Sequence, residues 1–498
     1  MRATSTTATQ ATNIDIYFCD VFHVDPNRLE AYGAFNISVV NDLPLFVDPF
    51  LLFNSTKSEY RVLHDEMIRY LQFLRDKAAV GAVDEDLIEY WFTFHEVKQN
   101  WLGFSKSGNT GSGLGIDFAR ALYANLNTVF KSFGQETITK GSHLEKLTLI
   151  RSGVGKDNIS DFTTNLIKRY LLEYTQTFAR DHIPSELCHG YNVPKVSFNY
   201  ETAIWENSMF TLPCYRGDFV ILTPKDILTK DETWINRLDL IDSFELIADS
   251  LPNGALRALI NSYFREHLPK KPSDREVVEA KVKTIQQYPE IIEYYIREKE
   301  DDGDQAQSVS SRKVRETEHF FIDQVKILSE LLLGETEFYS TRGDTYAEAR
   351  DRVQFLKDVI ENKDGYRFFW RDGQPIRKED DLQVLYRLTW FGTPSDINRE
   401  VNNGRGAVDF KVSRGSVDKS LVECKLASNS KLRRNLANQV AIYQKASDAP
   451  RALKVIIYFT ETELTKVRNI LKELGLSDAE NIILIDARRD NKPSASTA

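Results

Sequence analysis

Asp409, Glu423 and Lys425 have the side-chain types and the spacing for metal-dependent chemistry on a phosphate. They lie in GAVDFKVS and SLVECKLA, two runs that read as strands joined by RGSVDK. If that hairpin turns about Ser416, Asp409 and Glu423 face one another, with Cβ atoms roughly 4.5–5.5 Å apart. Side chains alternate along a strand, so Lys425 shares the face of Glu423, whereas Val422 and Cys424 take the opposite one. Glu400, in the short strand INREV before the Asn-Gly turn of NNGRG, reaches the same face in either register of that turn. Carboxylates held so close repel unless a cation sits between them. A hard divalent ion, Mg²⁺ or Mn²⁺, bound by Asp409 and Glu423 with the Cys424 carbonyl as a third ligand, answers that need. Lys425 then positions a water or stabilises the charge that develops on the phosphate.

The neighbouring segments supply elements to position these groups. KEDDLQVLYRLTWF predicts a helix with Leu382, Leu385, Tyr386 and Leu388 on one face and Glu379 at its start. SKLRRNLANQVAIYQKAS predicts another, with Lys431, Asn435, Gln439 and Tyr443 as a polar stripe beside the apolar Leu432, Leu436 and Val440. LKVIIYFT reads as a buried strand. A helix follows that starts at a capping box, Thr460 with Glu463, and stops at Gly475, and NIILIDA closes the series.

GRGAVDF, LVECK and QVAIY resemble, in order, the GxxD, ExK and QxxxY motifs of the PD-(D/E)xK nuclease superfamily, above all its RecB-like branch. The resemblance implies a restriction-endonuclease-like αβββαβ core over residues 366–490, inside a multidomain α/β protein. It implies that Asp409 and Glu423 bind the metal, that Lys425 is the catalytic lysine, and that Gln439 and Tyr443 contact nucleic acid or orient the site. Arg405, Lys431 and Asn435 border that site as further candidates. Glu379 stands where many members carry an acid on the first helix; Glu379 and Glu400 read equally as ligands or as solvated charges. Val408 replaces the proline that usually precedes the first acid. The implied activity is Mg²⁺-dependent endonucleolytic hydrolysis of DNA, RNA not being excluded, in prokaryotic defence against phage or plasmids. The alternative is a PD-(D/E)xK fold that has lost cutting and serves as a nucleic-acid clamp.

Composition sets the wider frame. With 498 residues, 42% of them hydrophobic, the chain can bury several cores. Its net charge of -9 is uneven: residues 366–498 hold 23 Lys and Arg against 17 Asp and Glu, so the negative balance lies upstream and the C-terminal part can meet a polyanion. Four scattered cysteines, without a CxxC pair, argue against a disulfide framework or a zinc site and point to a reducing cytoplasm. No apolar run is long enough to span a membrane.

Residues 1–13 and 491–498 read as disordered tails, 14–267 as a mixed α/β domain of unknown function, and 268–365 as a helical connector interrupted by a flexible loop at 300–312. Strands are expected at IDIYF, LPLFVD and DFVILT, and a long helix from Ser160. For residues 14–365 three roles stand open: recognising an invader, bringing copies together as a homo-oligomer, or restraining the nuclease until an activating partner arrives. The glycine-rich KSGNTGSGLGIDFAR has neither dinucleotide-binding nor P-loop spacing and reads as a loop; RSGVGKDNISD reads as a turn that caps the next helix.

Overall fold

The computed structural model describes residues 15–81, 83–103, 115–129, 133–134, 136–150, 155–335, 337–339, 343–371, 373–376, 379–390, 393, 395–399, 410–414, 418–437 and 451–492. Of the two expected tails, only residues 491 and 492 fall within them. The described fold is mixed α/β with several sheets. None of its helices is long and apolar enough to cross a membrane.

The N-terminal body runs through β1 (Leu45–Val47), α1 (Ser58–Val80), α2 (Glu85–Phe92), α3 (Lys156–Leu166), α4 (Lys168–His182), β2 (Cys188–Asn199), β3 (Ile204–Tyr215), β4 (Asp218–Phe219) and β5 (Leu228–Lys230). In α1 the buried residues Tyr60, His64, Met67, Leu71, Leu74 and Ala78 recur at helical spacing, and most of them enter a core shared with Trp91, Phe92, Phe162 and Trp205. The long helix expected from Ser160 starts earlier and breaks at Ile167; Gly155 caps its first half, with the Asn158 side chain accepting from the Gly155 N–H. β2 and β3 form a long hairpin whose register shifts between Val193 and Ser197. Two expected strands are corrected. IDIYF becomes a bridge at Tyr17 followed by the helical turn Phe18–Val21, because the Asp20 carboxylate accepts from the Tyr17 N–H and holds the chain in a turn. In DFVILT only Asp218 and Phe219 form a strand; Val220, Ile221 and Leu222 are buried and donate instead to Pro213 and Gln99 carbonyls and the Thr175 hydroxyl.

The connector is helical, including the stretch expected to be a loop: α5 (Glu290–Asp301) is followed directly by α6 (Gly303–Glu318). Its polar composition is a solvated face. Ala306, Ser310, Val314 and Thr317 repeat at three- and four-residue steps and are buried. The glycine-rich stretch at 106–120 lies outside the described residues up to 114, and from Ile116 it is helix.

The C-terminal part continues with α7 (Thr345–Asn362), the small hairpin of β6 (Trp370–Arg371) and β7 (Gln374–Pro375), α8 (Glu379–Leu388), β8 (Asp396–Arg399), β9 (Phe410–Arg414), β10 (Asp418–Leu426), β11 (Arg451–Tyr458), α9 (Glu461–Glu473) and β12 (Ile482–Asp486). One five-stranded sheet has the order β12-β11-β10-β9-β8. Its β8, β9 and β10 form an antiparallel meander, and β11 and β12 add in parallel beside β10. The long α7, which precedes the expected boundary at 366, packs across β9, β10, β11 and β12. The sheet's covered face, with Val422, Cys424, Leu426, Val455 and Ile457, joins a core that continues through Phe320, Phe321 and Leu328 into the N-terminal body. The other face is closed at one end by Leu432, Leu436, Ile456 and Tyr458 packed under α9.

Glu145 and Asp48 are fully buried near one another, and burial, reinforced by their mutual repulsion, raises the Glu145 carboxyl above its ordinary range. As pH rises from about 4, the unfolded chain gives up the Glu145 proton while the folded chain retains it, so stability falls with pH until the folded group also ionises. Glu145→Gln, blind to this titration, is expected to match wild type near pH 4 and to exceed it by on the order of 2 kcal/mol at pH 8 in urea unfolding. A stability gap independent of pH would contradict this account.

Candidate active site on the open face of the C-terminal sheet

β10 alternates between faces along its length. Ser420, Val422, Cys424 and Leu426 are buried, whereas Leu421, Glu423 and Lys425 stand half-buried on the face that α7 does not cover. Register pairs Asp418 with Arg414, Ser420 with Val412 and Val422 with Phe410, which centres the hairpin on residue 416. Asp409 precedes the last described pair and lies outside the described residues, as do Glu400, Arg405, Gln439 and Tyr443.

The described residues nonetheless bring together side chains from three elements. Lys425 Nζ lies 3.6 Å from Glu423 Oε1 and 3.3 Å from Glu379 Oε2, which comes from the first turn of α8. Glu379 is held in place by the Asn429 amide, which donates to its Oε1 at 2.6 Å. Asn429 is itself fixed by a lysine, since Lys466 Nζ of α9 donates to the carbonyls of Ala427 and Asn429 at 2.9 and 3.1 Å. Glu379 is thus positioned against the lysine through a chain of polar contacts that starts on a neighbouring helix.

Sequence reasoning missed a fourth member. Parallel register sets Glu423 beside Lys454 of β11, and Lys454 Nζ lies 3.2 Å from Glu423 Oε2. Both lysine side chains are largely buried, at 14% exposure for Lys425 and 8% for Lys454. The signal was present in LKVIIY, whose alternation puts Lys454 on the face of Ile456 and Tyr458, but a run so apolar reads as strand buried on both sides. Register also sets Lys411, paired with Leu421, and Lys419 on the open face. Among the described residues, Lys411, Lys419, Lys425 and Lys454 therefore share that face with Glu423 and, by register, Asp396, and Glu379 reaches it from α8; the lysines suit it to a phosphodiester.

Cys424 places its side chain in the core, at 1% exposure, so only its backbone carbonyl could serve a metal. Lys431 is exposed and Asn435 half-buried on the short described part of the following helix, while Leu432 and Leu436 of the same turns enter the core. Among the described residues no three His, Cys, Asp or Glu side chains meet closely enough to hold a metal. Glu423 and Glu379 are the described carboxylates that could contribute to one.

Two family models match the chain. One, a domain of unknown function (DUF8370), covers residues 23–236; the other, a domain of unknown function (DUF8371), covers residues 345–461. The second match opens at the start of α7 and ends as α9 begins, so it takes in the meander, Glu379, Glu423, Lys425 and Lys454. No curated protein and no solved structure matches the chain.

Proposed function

We propose that the C-terminal unit is a metal-dependent nuclease that hydrolyses phosphodiester bonds of DNA endonucleolytically, with a restriction-endonuclease-like core. The observation that carries this reading is the meeting of Glu423 and Lys425 from β10 with Glu379 from α8 on an open, lysine-rich sheet face. An antiparallel meander followed by a parallel strand is the order the nuclease resemblance implies, which supports the fold assignment. In this reading Asp409, the residue before the last described pair of the hairpin, joins Glu423 in holding Mg²⁺ or Mn²⁺. The ion would supply Lewis acidity and lower the pKa of an attacking water. Glu423 orients the ion, Lys425 meets the water or the non-bridging phosphate oxygen, and Glu379 fixes the lysine ammonium in place. Lys411 and Lys419 offer charge to flanking phosphates. A role in defence against invading DNA follows from the same resemblance, the N-terminal body then sensing or restraining.

A second reading has one observation in its favour. Lys425 and Lys454 together balance the Glu423 charge without any metal, as a nucleic-acid clamp that does not cut would require. Incubating the full chain with supercoiled plasmid, linear duplex, single-stranded DNA and RNA, with Mg²⁺ or Mn²⁺, separates the two. Wild type is expected to nick or linearise plasmid only with metal, and Lys425→Ala to lose about 10²–10³-fold of the rate. DNA retention with no cleavage of any substrate, equal in wild type and variant, would select the clamp.

A further inference from the structure

A pocket of about 330 Å³ in the N-terminal body lies between the segment 93–99, the start of α4 and the bulge of the β2–β3 hairpin. Phe94 and Trp205 form part of its apolar wall, and the Asn165 amide, Lys168 and Lys195 reach it. The volume is that of a small-ligand site.

Its lysines are placed against electrostatic preference. Lys168 is 8% exposed, and its Nζ donates to the Pro194 carbonyl at 2.9 Å. Lys195 Nζ donates to the Tyr90 carbonyl at 3.2 Å. Among the described residues neither ammonium has a carboxylate within 4.0 Å. Each is close enough to a neutral acceptor to be oriented, and each keeps donors to spare. Burial and the repulsion of Lys195 push the Lys168 ammonium down to about 8. The backbone is strained at the same point, because Lys195 has φ 51° within the bulge, a left-handed conformation that side chains other than glycine and asparagine rarely adopt. Glu96 and His95 are the other titratable groups that line the pocket; burial raises the Glu96 carboxyl above its ordinary range.

A buried and a half-buried lysine, neither with a carboxylate within 4.0 Å among the described residues, stand at a strained bulge beside aromatic walls and keep donors for an anion from outside. We propose that this pocket binds a small phosphorylated molecule, its phosphate between Lys168 and Lys195 and its organic part against Phe94 and Trp205. This site is independent of the C-terminal sheet, and its test does not depend on cleavage.

The test uses the full chain, with inorganic phosphate and phenyl phosphate as probes at constant ionic strength, followed by calorimetry and thermal unfolding. Wild type is expected to bind one phenyl phosphate saturably, at least about fivefold more tightly than inorganic phosphate. Lys168→Met and Lys195→Met are each expected to weaken it by more than about tenfold, as a charge-assisted bond is lost, while the exposed-surface control Lys283→Met binds as wild type. In wild type the ligand should also shield Lys168 and Lys195, relative to Lys283, from acetic anhydride, read by mass spectrometry; this arm stands even if a variant does not fold. Absence of saturable binding, an aromatic phosphate no better than inorganic phosphate, unchanged affinity in both variants, or absence of shielding would each overturn the proposal.

Discussion

Glu423→Gln is expected to lower metal-dependent cleavage of plasmid DNA by about 10²–10³-fold while the chain stays folded. Glutamine keeps the volume and the hydrogen-bonding reach of the side chain but removes the charge. That charge has two duties. In the resting protein it balances Lys425 at 3.6 Å and Lys454 at 3.2 Å, and in the proposed reaction it turns to the metal. A divalent ion must therefore displace at least one ammonium from Glu423. Lys454→Met, which removes the competitor on the β11 side, is expected to bind Mn²⁺ more tightly than wild type, whereas Glu423→Gln binds it more weakly. A Glu423→Gln enzyme that cuts at the wild-type rate, with circular dichroism unchanged, would remove this carboxylate from the chemistry. Should cleavage be lost but Mn²⁺ binding remain at wild-type strength, Glu423 would be a partner of the lysines and not a ligand.

What could be read from the residues follows from how local the determining forces are. The β9–β10 hairpin is legible because strict alternation and a turn centre together set which side chains share a face, and no distant contact alters that geometry. The same holds for the start of α9, where Thr460 accepts from the Glu463 N–H at 3.1 Å; the returning Glu463 carboxylate, however, takes the Phe459 N–H in place of the Thr460 one. The contact between Glu379 and Lys425 is different in kind. Forty-six positions separate them, and only the packing of α8 beside β10 makes the acid a neighbour of the lysine. The helical content of 300–312 is illegible from composition, because Asp, Gln and Ser favour loops when nothing covers them, and it is the burial of Ala306 and Ser310 against the body that decides. The β2–β3 hairpin escapes for the opposite reason: CHGYNVPKVSFN holds a glycine and a proline that argue against a strand, and a bulge absorbs the proline.

The largest stability effect is expected at Glu348, a residue that touches no proposed substrate. Its carboxylate is fully buried and accepts from four groups, Arg352 Nε at 3.2 Å, Thr393 Oγ1 at 2.7 Å, Ser395 Oγ at 2.6 Å and Arg414 Nη2 at 2.7 Å, with Arg352 Nη2 in ion-pair contact at 3.1 Å. Although burial alone would raise this carboxyl, those hydroxyls and guanidinium groups outweigh it and hold it below the ordinary range. The Arg352 side chain is itself 1% exposed and lies over the Trp390 ring at 4.6 Å. Through this one anion α7 is tied to the approach to β8 and to the end of β9, the strand that leads back to Asp409. Glu348→Ala leaves Arg352 charged, buried and without its counter-ion, and is expected to cost about 3–5 kcal/mol in urea unfolding. Replacing both, as Glu348→Leu with Arg352→Met, removes charge and counter-charge together and should recover most of that loss. Because Arg414 binds the same carboxylate, the double variant would still leave the end of β9 less firmly held. It should therefore fold but cut poorly, which separates the network's contribution to stability from its part in positioning the hairpin. A single Glu348→Ala variant as stable as wild type would mean that water or a rearranged Arg352 compensates, and that β9 is aligned by the sheet alone.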